Sequence, residues 1–267
     1  MLTVSIVTHN SDLEVLNNLL TSLVVANSKL TAADRISELI IIDNSNQPLS
    51  IGDTCKPILE KFNSVTLLHS KTNMGYGRAH NIAINKCHST FHLLLNPDVL
   101  IHCDALKNGI AFLEEQPGIV AVSPCAVNGQ NRPLYLAKKF PSLVVLLLRS
   151  LGVNWLNKCF AGIYRDYEYY SERNSSKIFE AELVSGCFML CRTDVLKSVQ
   201  GFDEKYFLYF EDFALSIKLR EIGKICYLSS MKIQHFGGEA SRKGLKHIYY
   251  FLSSAFKFYQ EFGWKII

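Results

Sequence analysis

Apolar positions switch period in a regular way along the first half of the chain. "LTVSIVTH" at the start is a short β-branched run and predicts a strand. Leu13, Leu16, Leu19, Leu20, Leu23 and Val24 then recur at helical spacing. "SELIIIDNS" predicts a second strand, "VTLLHS" a third, "GRAHNIAINKC" a helix and "FHLLLNPD" a fourth strand. Strand and helix alternating at this pace imply a mainly parallel sheet covered by helices on both faces. Three of these strands end in polar residues: Thr8-His9-Asn10, Asp43-Asn44-Ser45 and Asn96-Pro97-Asp98. In open parallel sheets, ligands bind outside the carboxyl ends of the strands.

After residue 120 the alternation weakens. "SPCAVNGQNRPL" reads as a turn-rich link and "FPSLVVLLLRSLGVNWL" as an apolar helix, near lipid or in a core. "YRDYEYYSERNSSK", polar and aromatic, fits a mobile loop. Order returns with "FEAELVSGCFMLCRTDVLKSVQGFD", a strand, a short helix and a Gly turn; "EDFALSIKLREIG" predicts a helix stopping at Gly223, and "KICYLSSMKIQHF" supplies closing strands. The tail from residue 241 predicts a basic, aromatic amphipathic helix.

Composition narrows the function classes. With 267 residues, 48% hydrophobic and 19% charged, the chain holds a large core and is not disordered. A net charge of +4 permits an anionic ligand or a membrane surface without demanding a nucleic-acid partner. The eight cysteines form no Cys-x-x-Cys pair, so reduced thiols filling a core are the simplest reading. The apolar start breaks at Thr8-His9-Asn10, unlike a signal peptide, and "LVVLLL" falls far short of the ~20 residues of a membrane span. A cytoplasmic protein is expected.

Spacing alone reads Asn96-Pro97-Asp98 as a strand-ending turn. Its chemical reading is a hard-cation site, because Mg2+ and Mn2+ prefer oxygen ligands and share their shell with phosphates and water. Asp43 at a strand end could accept from a ribose hydroxyl or a base edge. "NMGYGRAHN" sets Asn73, Gly75, Arg78 and Asn81 at a helix mouth, which suits a phosphate or a plain turn. Glu211 and Asp212, between Phe210 and Phe213, could be ordinary first-turn acids; an aromatic setting would instead raise a carboxyl toward general-base duty. His235 taken alone reads as a structural histidine or a metal ligand.

In order, these segments resemble the family-2 inverting glycosyltransferases of the GT-A fold, and within them the bacterial rhamnosyltransferases of O-antigen and cell-envelope polysaccharide synthesis. The resemblance rests on "VSIVTHN", "IIIDNS", "NMGYGRAHNIAI", "LLLNPDV", "VSGCFMLCRTDVLKSVQGFDEKYFLYFEDFALSIKLREIGK" and "IQHFGG". It implies that Thr8, His9, Asn10 and Asp43 hold the nucleoside, and that Asn73, Gly75, Arg78, Asn81 and Asn96 lie along the nucleotide sugar. It further implies Asp98 and His235 at an Mg2+ or Mn2+ ion, Asp212 as catalytic base and Glu211 orienting the acceptor or Asp212. Asn96 replaces the first acid of the family's Asp-x-Asp motif.

The resemblance implies a nucleotide-sugar donor, dTDP-rhamnose or a UDP-sugar, and a glycan or polyprenyl-diphosphate-linked acceptor. Residues 1–240 form the expected glycosyltransferase domain, 1–120 for the donor and 121–240 for acceptor and catalysis, with 241–267 as the tail. Arg242, Lys243, Lys246, His247 and Lys257, beside Tyr249, Tyr250, Phe251, Phe256 and Phe258, fit a helix lying peripherally on the inner membrane; core packing or homodimerisation fits equally. A nucleotidyltransferase and an inactive nucleotide-sugar-binding protein are the competing readings.

Overall fold

The computed structural model describes residues 1–151, 160–237 and 244–266. Its first part runs β1 (Leu2–Thr8), α1 (Leu13–Ser28), β2 (Ile36–Asp43), short helices α2 (Ile51–Thr54) and α3 (Lys56–Leu59), β3 (Val65–His69), α4 (Tyr76–Lys86), β4 (Phe91–Leu95), β5 (Val99–Ile101) and α5 (Ala105–Glu115). Next come β6 (Ile119–Val127), β7 (Pro133–Leu134), β8 (Ala137–Lys138), α6 (Leu143–Leu151), α7 (Ala161–Tyr167), α8 (Tyr170–Ser175), β9 (Ile178–Glu180) and β10 (Leu183–Val184). The chain closes with β11 (Phe188–Arg192), α9 (Thr193–Ser198), α10 (Glu211–Arg220), β12 (Lys224–His235) and α11 (Leu245–Phe262).

A ten-stranded mixed sheet follows the path β3-β2-β1-β4-β11-β6-β12-β5. The first four strands are parallel, as the alternating pattern requires, and β11 enters antiparallel between β4 and β6. Alternate residues feed opposite faces. Val4, Ile6, Leu39 and Ile41 pack with Leu16, Leu20, Leu106 and Ile110 of α1 and α5, whereas Val7, Ile40 and Ile42 meet Ala79 and Ala83 of α4. The α/β class expected from the sequence is the one observed, and the sheet crosses residue 120 without interruption.

A buried polar link fixes α4 to the sheet. Ser5 Oγ lies 2.8 Å from both His80 Nδ1 and His92 Nε2. Burial pushes both histidines down, His92 to about 3, so the core keeps them neutral.

Three local expectations are corrected. The polar, aromatic stretch read as a mobile loop forms α7 and α8, and Tyr167 and Tyr169 are buried there. Their aromatic bodies pack while their polar neighbours face solvent, a half-buried pattern that averages to "loop" in sequence. The stretch read as a link opens with Ser123–Val127 as the end of β6 and closes with Pro133–Leu134 as β7, so only residues 128–132 between them form the turn, and Pro124 lies beyond the residues that pair with β11. The closing strands are one strand, β12, whose register shifts between Leu228 and Lys232. Of the apolar helix, Leu143–Leu151 is helical, and residues 152–156 lie outside the described residues. Arg242 and Lys243 also lie outside them.

The tail is not an appendage. Phe258 and Tyr259 of α11 are buried against Tyr206, Phe210 and Ala214. Burying Phe258 alone contributes roughly 1.5–3 kcal/mol.

Candidate active site

Strand register assembles the site. Thr8 and Asp43 are opposite one another in β1 and β2, so both parallel strands end at one level. Past those ends, His9 Nδ1 contacts the Asn44 carbonyl at 2.9 Å, and Asn10, at φ 50°, donates its N–H to Ser45 Oγ at 2.7 Å. Asn44 reaches across to Asn73 Oδ1 (2.9 Å) and the Gly75 carbonyl (3.1 Å), tying β2 to the loop before α4. Gly75 has φ 91°, and a Cβ there would overlap the Phe207 carbonyl. This glycine allows two loops from distant parts of the chain to touch, and the Tyr76 N–H donates to the same carbonyl at 3.2 Å.

The donor-side residues divide by accessibility. His9 and Asn10 are exposed, whereas Thr8 and Asp43 are buried. Asp43 accepts from the Leu49 N–H at 2.7 Å, the Ser45 N–H at 3.0 Å and the Thr8 hydroxyl at 3.4 Å. Burial pushes its carboxyl up, but these donors and nearby His69 outweigh that and hold it below the usual range. Asp43 therefore braces the loop at residues 44–49. Asn81 is likewise committed: its carboxamide donates to the Phe202 carbonyl and accepts from the Phe202 N–H, both at 2.9 Å. Arg78 pairs with Glu204 at 3.2 Å on the exposed surface.

The charged centre forms where β4 ends and β11 begins. Because these strands are antiparallel, Leu95 faces Phe188, and the Asn96 N–H donates to the Cys187 carbonyl at 2.9 Å. Asp98 follows. The antiparallel pairing of β5 with β12 sets His235 opposite Val99, and His235 Nε2 lies 3.2 Å from Asp98 Oδ1. The Phe236 N–H donates to the Asp98 carbonyl at 2.9 Å. A Cβ at Gly237 would overlap Asp98 Oδ2, so that glycine leaves the carboxylate its space.

A carboxylate and a buried imidazole converging on one point suit a divalent cation that takes its remaining ligands from diphosphate and water. The residues present thus fit Mg2+ or Mn2+. Among the described residues a three-donor cluster, His102, Cys103 and Asp104, stands at the other end of β5, in consecutive positions of a turn.

On the other side of Gly186 lies the acidic pair. The Gly186 N–H donates to Asp212 Oδ2 at 3.0 Å, and the Phe213 N–H donates to Oδ1 at 2.9 Å. Burial pushes the Asp212 carboxyl up; those hydrogen bonds and Lys138 restrain the rise without cancelling it. Glu211 is buried, its Oε2 has no hydrogen-bond partner, and burial with the adjacent Asp212 charge pushes its carboxyl well up. The Tyr76 hydroxyl donates to the Gly186 carbonyl at 2.7 Å.

The backbone entering this pair is strained. Tyr209 and Phe210 have φ of 69° and 65°, left-handed values that bulky residues seldom adopt. Helix α11 holds them there: Ser254 Oγ donates to the Leu208 carbonyl at 2.9 Å, Tyr209 Oη meets His247 Nδ1 at 2.8 Å, and Phe210 packs on Phe251 and Phe258.

Sequence reasoning passed over Tyr76, Gly186, Gly237 and Lys138. Tyr76, Gly186 and Gly237 stand inside quoted motifs, but only the tertiary contacts reveal their use. A cavity of about 340 Å³ bounded by Lys139, Phe140, Val145, Tyr167 and Lys265 contains none of the candidate site residues.

The sequence matches glycosyl transferase family 2 over residues 3–200, and the chain belongs to that family. It is 25% identical over 241 residues to the rhamnosyltransferase WbbL of Escherichia coli, covering 86% of this chain and 81% of that one. It is also 25% identical over 217 residues to the N-acetylglucosaminyl-diphospho-decaprenol L-rhamnosyltransferase of Mycobacterium tuberculosis, covering 76% of this chain and 68% of the relative.

Among solved structures, S. aureus TarS superposes with a TM-score of 0.59 at 20% identity over 90% of this chain. GalNAc-T7 with UDP, GalNAc and Mn2+ superposes with a TM-score of 0.65 at 14% identity over 92%. The chain spans 37% and 44% of those two chains, and the likeness shows the shared GT-A fold. The family match ends before Glu211, Asp212 and His235, whose placement rests on the geometry above.

Proposed function

We propose that this glycosyltransferase moves a sugar, with inversion, from a nucleotide sugar to a hydroxyl of a glycan or polyprenyl-diphosphate-linked acceptor. The observation that carries the proposal is the placing of Asp98 and Asp212 on either side of the β4–β11 junction, one beside His235, the other held by the Gly186 amide. Rhamnose is the sugar favoured by the names of both rhamnosyltransferase relatives, dTDP as its carrier rests on the sequence resemblance, and the mycobacterial name supports the lipid-linked acceptor. A UDP-sugar is the second reading, favoured by UDP in TarS and GalNAc-T7. The expected place of work is the cytoplasmic face of the inner membrane.

His9 and Asn10 are placed to meet the nucleoside, with Thr8 and Asp43 shaping the loop behind them. Asn73, Gly75 and Arg78 border the diphosphate path, with Asn96 at its end, and Asn81 fixes the loop at residues 201–204. Asp98 and His235 would hold Mg2+ or Mn2+, which when bound neutralises charge developing on the leaving diphosphate. Asp212 takes the proton of the acceptor hydroxyl as its oxygen bonds to the anomeric carbon. The carbon–oxygen bond to the diphosphate breaks on the opposite side, and its electron pair leaves with the nucleoside diphosphate. A positioned base of this kind contributes about 10²- to 10⁴-fold in rate. Glu211, its carboxyl pushed well up by burial and the Asp212 charge, shapes polarity beside Asp212.

The test is a thermal-shift screen with Mn2+, setting dTDP-rhamnose against UDP-sugars, since a bound ligand raises apparent stability by mass action. A shift with dTDP-rhamnose alone supports the first reading, a shift with a UDP-sugar alone supports the second, and no shift with any nucleotide sugar overturns both.

A further inference from the structure

Helix α11 has two working faces. The inner one holds the strained loop before Glu211. The outer one is apolar: Leu245, Tyr249, Leu252 and Phe256 recur every three to four residues and are 84%, 68%, 61% and 53% exposed. Trp264, 55% exposed, continues the stripe beside Phe256, with ring centroids 6.0 Å apart. The following segment binds α6, the Leu143 N–H donating to the Lys265 carbonyl at 2.8 Å, and Leu147 of that helix and Ile266 are exposed as well. Scattered single apolar side chains are ordinary on a surface; a contiguous row this long is not.

Charge selects the occupant. The only acid in residues 244–266 is Glu261, and it is engaged by Lys205 at 2.6 Å and the Tyr206 hydroxyl at 2.8 Å. Lys246, Lys257 and Lys265 carry the remaining charge of this segment. Two copies meeting along the stripe would bring their lysines together with no acid opposite them. An anionic lipid surface answers those lysines, takes Leu245 and Leu252 into its acyl boundary, and suits Tyr249 and Trp264, whose rings are apolar with a polar handle. No helix among the described residues is long and apolar enough to cross a membrane, so this contact lies on the surface.

We propose that the outer face of α11, with Trp264 and Ile266, docks the protein on an anionic lipid bilayer. The inner face of the same helix holds residues 207–210, through the Ser254 bond to Leu208 and the Tyr250–Phe207 ring contact at 4.6 Å. Docking therefore sets the Glu211-Asp212 pair about one helix diameter, ~10 Å, from the lipid. This rests on the lipid-linked acceptor reading, for which it supplies the geometry.

The test is co-sedimentation of the full chain with phosphatidylcholine vesicles, with and without phosphatidylglycerol, at low and high salt. Binding should need phosphatidylglycerol and weaken with salt. The Leu252→Glu/Phe256→Glu double variant should lose roughly tenfold or more in vesicle affinity. Lys246→Glu/Lys265→Glu, which alters only exposed charges, should lose phosphatidylglycerol dependence with unchanged circular dichroism. Wild-type protein that ignores phosphatidylglycerol vesicles, or variants that sediment as it does, would overturn the proposal. So would a wild-type dimer that Leu252→Glu/Phe256→Glu splits, which assigns the face to a second copy. None of these readings needs turnover, so the docking surface and the donor assignment fail separately.

Discussion

The Gly186 N–H and Asp212 Oδ2 are joined by a 3.0 Å hydrogen bond that ties the start of β11 to the start of α10. The other side of Gly186 is equally constrained, because its carbonyl accepts from Tyr76 at the head of α4. A Cβ at residue 186 would lie 3.3 Å from both Asp212 Cβ and Tyr76 Cε1. Helix α4 thus positions the Asp212 carboxylate through a single residue.

Tyr76→Phe removes only the hydroxyl. A hydrogen bond contributes about 1 kcal/mol, so kcat should fall roughly five- to tenfold while KM for the donor stays within about twofold. Steady-state kinetics with both substrates varied would check this. Equal kcat for the variant would show that Gly186 needs no such support.

Glu211 and Asp212 should respond differently to neutralisation. Glu211 is already pushed toward its protonated form by burial and by Asp212, so Glu211→Gln should keep most of the activity at pH 7. Its stability carries a sign. A buried carboxyl with a raised folded-state pKa makes the native protein hold more protons than the unfolded chain, so stability falls as pH rises above the ordinary glutamate range, about 4.3, toward the raised folded value. Glu211→Gln escapes that loss. Its melting temperature should match wild type near pH 4 and exceed it increasingly above that, as read by thermal melts across pH. A constant difference at every pH would contradict a raised Glu211.

Gly237→Ala places a methyl group against Asp98 Oδ2. The fold should persist, because residue 237 follows the last strand, but nucleoside diphosphate affinity in Mn2+ should drop by about tenfold or more as the carboxylate is displaced, an effect of the order of one charge-assisted hydrogen bond. Calorimetric titration with and without Mn2+ separates metal-dependent from metal-independent binding. Unchanged affinity in Mn2+ would remove Asp98 from the metal site.

Strand ends and the acids on them were legible because period and polarity change at the same residues, as in "LLLNPD". What the sequence could not show was how those polar groups are used. Asp43 and Asn81 look like ligand residues in one dimension, yet their side chains are bonded to the Ser45–Leu49 loop and to Phe202. Tyr76, Gly186 and Gly237 matter through contacts with residues 26 to 139 positions away, which no local spacing encodes. The tail read as a basic, aromatic amphipathic helix without showing which aromatic residues turn inward, because they look alike until burial separates Phe258 from Phe256.

The central claim is that Asp212 deprotonates an acceptor hydroxyl during a single inverting displacement. Its most direct test is product analysis with labelled dTDP-rhamnose, a lipid-linked acceptor and Mn2+, comparing wild type with Asp212→Asn. Wild type should release dTDP in step with a glycoside of inverted anomeric configuration, and Asp212→Asn should lose about 10²- to 10⁴-fold in kcat while its donor-induced thermal shift persists. Retained configuration, pyrophosphate as the product, or full turnover by Asp212→Asn would contradict it.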